Sequence, residues 1–209
     1  MRFDETVRRR FVRYVAPAAA LLVLAGPASG SVLSFLSIED LSRASSQVVR
    51  ARILSQSVHW TPGNEGIYTQ IEALVLSDIK VAAPPGGTPA TGTPAARRVT
   101  IIQAGGEIDG VSLDWTGRPR FQDGEDLVLF LQPYEPADAA DQRMLMVGGK
   151  QGRMRVIGHG PLQVERDLAG VLEGQAIPGA VATGPGHRRD LIDLDELTLR
   201  VRQAGGGRP

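Results

Sequence analysis

The stretches QVVRARIL (residues 47–54) and IYTQIEALVLSDI (residues 67–79) decide the fold of this chain. In the first stretch, apolar side chains alternate with two arginines. In the second, one face carries a regular set of residues, namely Ile67, Thr69, Ile71, Ala73, Val75 and Ile79. A repeat of two residues is the pattern of a half-buried strand. Because the stretches are neighbours in the chain, they predict an antiparallel hairpin.

Shorter strands follow toward the carboxyl terminus. Residues 98–104 predict a third strand, and DLVLFL at residues 126–131 is a continuous apolar run, typical of a strand buried on both faces. Three more short strands are predicted between glycines, at 145–147, 153–157 and 162–164. Many short strands with glycine turns predict an all-β barrel or sandwich.

One short helix precedes these strands, and another ends the chain. Ser37 is the expected N-cap of the first helix, with Glu39 and Asp40 in the first turn, where the helix dipole favours acids. Residues 190–203 are expected to end in the second helix. Its apolar face would consist of Leu194, Leu197 and Val201.

The β strands define the expected domain. Residues 31–166 form the predicted β-barrel domain, and residues 167–209 form a Gly-rich linker with the C-terminal helix. Within the domain, residues 82–96 contain only Ala, Pro, Gly and Thr. Since these residues offer no large apolar side chain to a core, we expect a flexible loop there.

Residues 1–30 have the layout of an export signal. An arginine-rich start is followed by an apolar stretch at residues 15–25 and then by the small residues Gly26-Pro-Ala-Ser-Gly30. We expect cleavage after Gly30, with Ala28 as the second choice. The apolar stretch is too short to span a bilayer, so the mature protein is expected to be periplasmic or extracellular, with no stable membrane span.

The route of export stays open between two pathways. Residues 8–13, RRRFVR, fit an ordinary positively charged start of a signal peptide and also resemble the twin-arginine motif. Export by the second route would allow folding before export.

The charge balance changes when the signal is removed. The full chain has 23 basic and 23 acidic side chains, of which residues 1–30 hold five and two. The mature chain keeps 18 basic and 21 acidic residues, a net charge of −3. This argues against nucleic acid as a partner. With no cysteine, the chain has no disulfide, thiol catalysis or Cys-ligated zinc.

Several segments carry a family resemblance over residues 37–166. They are Gly105 to Gly110, Phe121 to Leu131, and Gly148-Gly-Lys-Gln-Gly152. With the two long strands, they are similar to netrin-like domains and tissue inhibitors of metalloproteinases, and more so to uncharacterised exported bacterial proteins. The resemblance implies a small OB-like antiparallel barrel. The animal inhibitors bind a protease's zinc through an N-terminal cysteine, which this chain lacks.

The most distinctive polar segment follows the third strand. Glu107, Asp109 and Asp114 place three carboxylates in eight residues, which could bind a cation or act as an acid/base pair. The alternative is a turn with solvated carboxylates, since the spacing of a calcium-binding EF-hand is absent. Trp115 and Arg118 follow directly, so these five residues form the candidate ligand surface.

The remaining residues indicate no catalytic apparatus. None of the three histidines has a partner at metal-binding spacing, and nucleophile and phosphate-binding motifs are absent. The sequence therefore predicts no catalytic residue, no metal site and no cofactor. It favours an exported, non-enzymatic binding module that recognises a secreted protein such as a protease. The alternative is a small metal-dependent or acid/base hydrolase that uses Glu107, Asp109 and Asp114.

Overall fold

A computed structural model describes residues 34–81, 97–115, 117–134, 143–169, 180–182 and 188–206. These residues belong to the unit that spans residues 32–209. The predicted export signal at 1–30 and the predicted loop at 82–96 lie outside the described residues.

The described chain is mainly β, with two helices, as predicted. The helices are α1 (Ile38–Ala44) and α2 (Leu194–Gly206), and a 3-10 turn covers Gly149–Gly152. The strands are β1 (Gln47–Trp60), β2 (Ile67–Val81), β3 (Arg98–Ala104), β4 (Gly106–Ile108), β5 (Val111–Leu113), β6 (Asp126–Pro133), β7 (Arg143–Met146), β8 (Arg153–Ile157), β9 (Gln163–Asp167), β10 (Ala180–Ala182) and β11 (Arg188–Asp193).

Five strands close into a ring, in the order β1-β2-β3-β7-β6 and back to β1. The β1–β2 hairpin predicted from the sequence is confirmed, with Trp60 opposite Ile67 near the loop that joins them. The β3–β7 pair is parallel, whereas the other four pairs of the ring are antiparallel. This closed five-stranded ring agrees with the predicted OB-like barrel.

Strand β6 separates two hydrophobic cores. Leu127, Leu129 and Leu131 point into the barrel, where they join the apolar side chains of β1, β2 and β3. Val128 and Phe130 point the other way, into a core shared with both helices. The prediction that this run is buried on both faces is confirmed. Apolar and polar residues do not alternate in β6 because both faces of the strand contact apolar side chains.

The second core joins the helices to an extension of the barrel sheet. Strands β8, β9, β11 and β10 continue the sheet from β6. Met154, Val164 and Ile192 of this extension belong to the same buried cluster as Leu41 and Leu197 of the two helices. The helices therefore cover one face of the extended sheet, and charged residues such as Arg155 and Glu165 lie on its other face.

Helix α1 begins as the sequence predicted. The Asp40 amide donates to the Ser37 hydroxyl at 3.0 Å, and the Asp40 carboxylate accepts from the Ser37 amide at 3.3 Å. This reciprocal pair is a capping box.

Helix α2 is confirmed, but a strand that the sequence did not predict precedes it. The sequence assigned residues 190–203 to a segment that ends in a helix, but residues 188–193 form β11, and the helix begins at Leu194. Leu191 and Ile192 pair with Glu165 and Val164 of β9, so hydrogen bonding across the sheet decides their conformation. The sheet thus continues past residue 166, the expected end of the barrel domain.

Ile79 also differs from its prediction. It was expected on the same face as Ile67 and Ile71, but it packs in the helix-covered core. Shifts in the pairing register of β1 and β2 fall between Val48 and Val49 and again after Arg50. Such bulges turn the following side chains toward the other face of a strand.

The glycines of the Gly148–Gly152 segment favour a bulge or a tight turn, and the segment contains the 3-10 turn. Its Gln151 side chain is buried and binds the backbone of the segment that precedes α1. The Leu36 amide donates to Gln151 Oε1 at 3.0 Å, and Gln151 Nε2 donates to the Ser34 carbonyl at 2.7 Å. The turn therefore fixes the segment that precedes α1.

A buried arginine completes this contact. Arg166 donates to the Leu36 carbonyl and to Gln151 Oε1, and its guanidinium lies 5.1 Å from the centre of the Phe35 ring. Burial lowers the pKa of Arg166 to about 10, although the charge of Asp190 acts in the opposite direction. Burial also raises the pKa of Asp190, partly offset by Arg166.

Candidate functional site

The segment with three carboxylates contains a small hairpin. Strands β4 and β5 pair in antiparallel register, with Ile108 opposite Val111. Asp109 and Gly110 connect them with φ angles of 52° and 75°. Positive φ at both central residues is what a type I′ turn requires, and Asp-Gly is among its preferred sequences. The carboxylate of Asp109 is therefore part of a turn.

The hairpin is attached to the ends of β1 and β2. Trp60 Nε1 donates to Asp109 Oδ2 at 3.1 Å. At the base of the hairpin, the Gly105 amide donates to the Ile67 carbonyl at 2.7 Å, and the Thr69 hydroxyl donates to the Gly105 carbonyl at 2.6 Å. These bonds hold the hairpin in a fixed place beside the barrel.

Gly105 lets the chain after β5 come close. A Cβ atom at Gly105 would lie 2.5 Å from the Leu113 carbonyl oxygen and 2.9 Å from the Trp115 ring. Its φ of 87° is also in the region that favours glycine. The missing side chain thus allows the indole of Trp115 to lie against the base of the hairpin.

Three large apolar side chains of this segment are exposed. The exposed fractions are 47% for Val111, 44% for Leu113 and 44% for Trp115. Val111 and Leu113 alternate along β5, so they lie on the same face of the strand. We call these three residues the hairpin surface.

Asp114 connects the hairpin surface to two arginines. Its carboxylate accepts from Arg120 at 2.8 Å and lies 3.6 Å from Arg118. Arg118 is largely buried and donates to the Thr69 hydroxyl at 3.1 Å. Within the described residues, Arg118 Nε has no hydrogen-bond partner. Arg118 thus keeps part of its hydrogen-bonding capacity unused.

A cavity of about 330 Å³ opens beside these residues, and we call it the basic cavity. It is lined by Asp114, Trp115, Gly117, Arg118, Pro119, Arg120, Lys150, Arg153 and Asp167. Four of the lining side chains are basic and two are acidic. The lining therefore has an excess of basic side chains, although Arg153 is also paired with Glu125, which lies outside it.

A second cavity of about 330 Å³ adjoins the first, and Arg153 and Asp167 line both. Its lining contains three acidic and three basic side chains, and each of the three arginines is paired with a glutamate of the lining. Glu165 accepts from Arg155 at 2.5 Å and from Arg189 at 2.6 Å. Burial raises the pKa of Glu165, but the hydrogen bonds and charges of the two arginines outweigh burial, so the pKa lies below its ordinary value.

The structure brings together three of the five residues that the sequence singled out. Asp114, Trp115 and Arg118 line the basic cavity. Glu107 and Asp109 lie on the hairpin and line neither cavity. Both are exposed.

Sequence reasoning missed several residues of the basic cavity. Lys150, Arg153 and Asp167 follow β7 in the chain and reach the cavity through the sheet extension. The Gly148–Gly152 segment contains Lys150, but its glycines indicate a turn and not a binding site.

The site offers donors and positive charge. Within the described ranges, no group of three or more His, Asp or Glu side chains is placed to hold a metal ion. Asp109 and Asp114 are bound to different donors, the Trp60 indole and the Arg120 guanidinium. Histidine is absent from both cavity linings, and His59 instead stacks on Tyr68 with ring centres 5.3 Å apart. The arrangement suits binding of carboxylate or phosphate oxygens.

In the part of the chain that the structure describes, no helix is long and apolar enough to cross a membrane. Comparison with known proteins gives no relative: no family model matches the chain, and no curated protein matches its sequence.

Proposed function

We propose that this chain is an exported binding module that recognises a secreted protein and performs no catalysis. The observation that carries the proposal is the hairpin surface, Val111, Leu113 and Trp115, exposed next to a positively charged cavity. Clustered apolar side chains with a polar rim are typical of protein interaction sites.

The exposure of the hairpin surface is built into the fold. The Trp60–Asp109 hydrogen bond and the contacts of Gly105 hold the hairpin, so its apolar side chains are presented without being drawn into a core. A fixed surface loses little conformational entropy on binding. Aromatic residues such as Trp115 are enriched at the centres of protein interfaces.

Partner contact through the hairpin differs from the mechanism of the animal inhibitors. Their N-terminal cysteine is missing here, and the Leu36 backbone is already bound by Gln151 and Arg166. The netrin-like relationship that we propose is therefore limited to the barrel. A secreted protease is one partner that fits this proposal, bound away from the N-terminus of the module.

Export is part of the proposal and has its own test. The arginine-rich start, apolar stretch and small residues of 1–30 support cleavage after Gly30. The intact mass of the protein recovered from the exported fraction measures this directly. A mass equal to that of residues 31–209 supports the proposal, whereas exported protein that still contains Met1 contradicts it.

Site-specific cross-linking tests recognition by the hairpin. A benzophenone amino acid would replace Leu113 in one variant and Leu199 in a control, since Leu199 is an exposed apolar residue on α2. After irradiation in the exported fraction, we expect a discrete protein adduct at position 113 and none at 199. Equal adducts at both positions, or none at 113, would contradict the proposal.

A further inference from the structure

Four basic and two acidic side chains line the basic cavity, and with Glu125, which pairs with Arg153 from outside the lining, one positive charge remains in excess. Arg118, Arg120, Lys150 and Arg153 line it together with Asp114 and Asp167. Lys150 also donates to the Ala169 carbonyl, and its Nζ lies 4.0 Å from Asp167. The cavity can therefore accept additional negative charge from a ligand.

Two arginines of the cavity keep free hydrogen-bonding capacity. Arg153 uses one terminal nitrogen to contact both oxygens of Glu125 at 2.6 Å. In the described part of the chain, the Nε atoms of Arg118 and Arg153 are buried without a partner. The hydrogen bonds to Thr69 and Glu125 use one terminal nitrogen of each guanidinium, so the other terminal nitrogen of each has N–H donors for a ligand oxygen.

The contacts already present show which ligand group the arginines suit. Asp114 accepts from Arg120, and Glu125 accepts from Arg153, so both guanidiniums are oriented toward carboxylates. The Asp114–Arg120 pair is exposed, at 43% and 81% for the two side chains. An exposed ion pair contributes little to stability, and a ligand carboxylate can therefore replace Asp114 at low cost.

Trp115 belongs to both the hairpin surface and the basic cavity. A ligand bound there would contact positive charge and an exposed apolar surface at the same time. We propose that the basic cavity binds the acidic side chains of a segment of the protein partner, whose apolar side chain packs on Trp115. This inference rests on the proposed function and names the part of the partner that is recognised. Inorganic phosphate shares the charge of such a segment but has no apolar group.

Fluorine NMR tests the inference on the whole mature protein. The chain has two tryptophans, so labelling with 5-fluorotryptophan gives two resonances, which a Trp60→Phe sample assigns. The probe is the capped peptide acetyl-Glu-Leu-Asp-Leu-Glu-amide, and its matched control is acetyl-Gln-Leu-Asn-Leu-Gln-amide. We expect the acidic peptide to shift the Trp115 resonance in a saturable manner and the neutral peptide to leave it unchanged.

Variants connect the shift to the cavity. Arg118→Gln should weaken peptide binding by about tenfold or more, because a charge-assisted bond is lost. Arg52→Gln, an exposed arginine outside the cavity, should leave binding unchanged. Asp114→Asn should tighten binding, since it removes the competing carboxylate. General damage to the fold cannot produce that gain.

Three results would overturn the inference. They are an equal shift with the neutral peptide, a shift with inorganic phosphate but none with the acidic peptide, and no shift at millimolar acidic peptide. If any of these occurs while cross-linking at position 113 succeeds, the inference about acidic segments fails and the proposed function stands. Acidic peptide binding without cross-linking at 113 would instead contradict recognition through the hairpin, while the cavity would still bind acidic segments.

Discussion

The indole N–H of Trp60 donates to the carboxylate of Asp109 at 3.1 Å, which joins the end of β1 to the turn of the β4–β5 hairpin. Asp109 combines this bond with a positive φ of 52°. It therefore fixes the hairpin in place, and the hairpin in turn presents Val111 and Leu113 beside the basic cavity.

Asp109→Ala should destabilise the protein. It removes the acceptor for Trp60 and places a residue with poor tolerance for positive φ in the turn, at a cost of about 1–2 kcal/mol. Asp109→Asn should lose much less, because asparagine tolerates this conformation and keeps an acceptor oxygen. Urea unfolding measures both free energies. Equal losses of unfolding free energy in the two variants would contradict the roles of the positive φ of Asp109 and of its hydrogen bond to Trp60.

Gln151→Ala should release the segment that precedes α1. The change removes the partners of the Leu36 amide and the Ser34 carbonyl and one acceptor of Arg166. Loss of buried hydrogen bonds of this kind costs about 1–3 kcal/mol. Gln163→Ala, at an exposed position on β9, is the matched control and should have little effect. Faster amide exchange at Leu36 in Gln151→Ala alone is expected, and unchanged exchange contradicts the contact.

Asp190→Asn should stabilise the protein at neutral pH. Burial raises the pKa of Asp190 above its ordinary value of 3.8, so the charged form is disfavoured in the folded state. The loss of stability caused by the charged Asp190 carboxylate is therefore fully present above the raised pKa and disappears as pH falls below 3.8. Unfolding free energies of both proteins across this range should converge at low pH. A variant less stable than the parent at pH 7 would contradict the assignment.

Glu165→Gln should show the opposite dependence on pH. Its pKa is lowered because the bonds and charges of Arg155 and Arg189 outweigh burial. This contribution to stability is present above the ordinary value of 4.5 and is lost as pH falls through the lowered pKa. We expect the variant to be less stable at pH 7, with a difference that shrinks in acid, measured by the same unfolding curves. A difference independent of pH would rule out the ion pairs as its cause.

Local pattern predicted most of the barrel strands. Alternation identified residues 47–54 of β1 and most of β2, and the apolar run identified β6, because burial on one face or on both leaves a direct trace in composition. Strand β1 continues beyond its predicted end to Trp60, because residues 55–60 pair with β2 although they are exposed or half-buried. The β4–β5 hairpin was missed, although Asp109-Gly110 is a recognised signal for a tight hairpin turn. The three carboxylates of this segment indicated a cation site, an acid/base pair or a simple turn, but not a hairpin.

The basic cavity could be predicted only in part. Asp114, Trp115 and Arg118 are neighbours in the sequence, so one segment revealed them. Lys150 and Arg153 join them because the 3-10 turn leads into β8, which pairs with β6. Periodicity identifies strands but does not give their order in a sheet, so residues brought together by topology leave no local signal.

The affinity of the cross-linked partner for hairpin variants tests the central claim most directly. Once that partner is purified, its dissociation constant is measured with the parent module, with Leu113→Ser and with Leu199→Ser. We predict that Leu113→Ser weakens binding by about tenfold or more, as for a residue near the centre of an interface, and that Leu199→Ser leaves it unchanged. Equal affinity for all three proteins, or an equal loss in both variants, would contradict recognition through the hairpin surface.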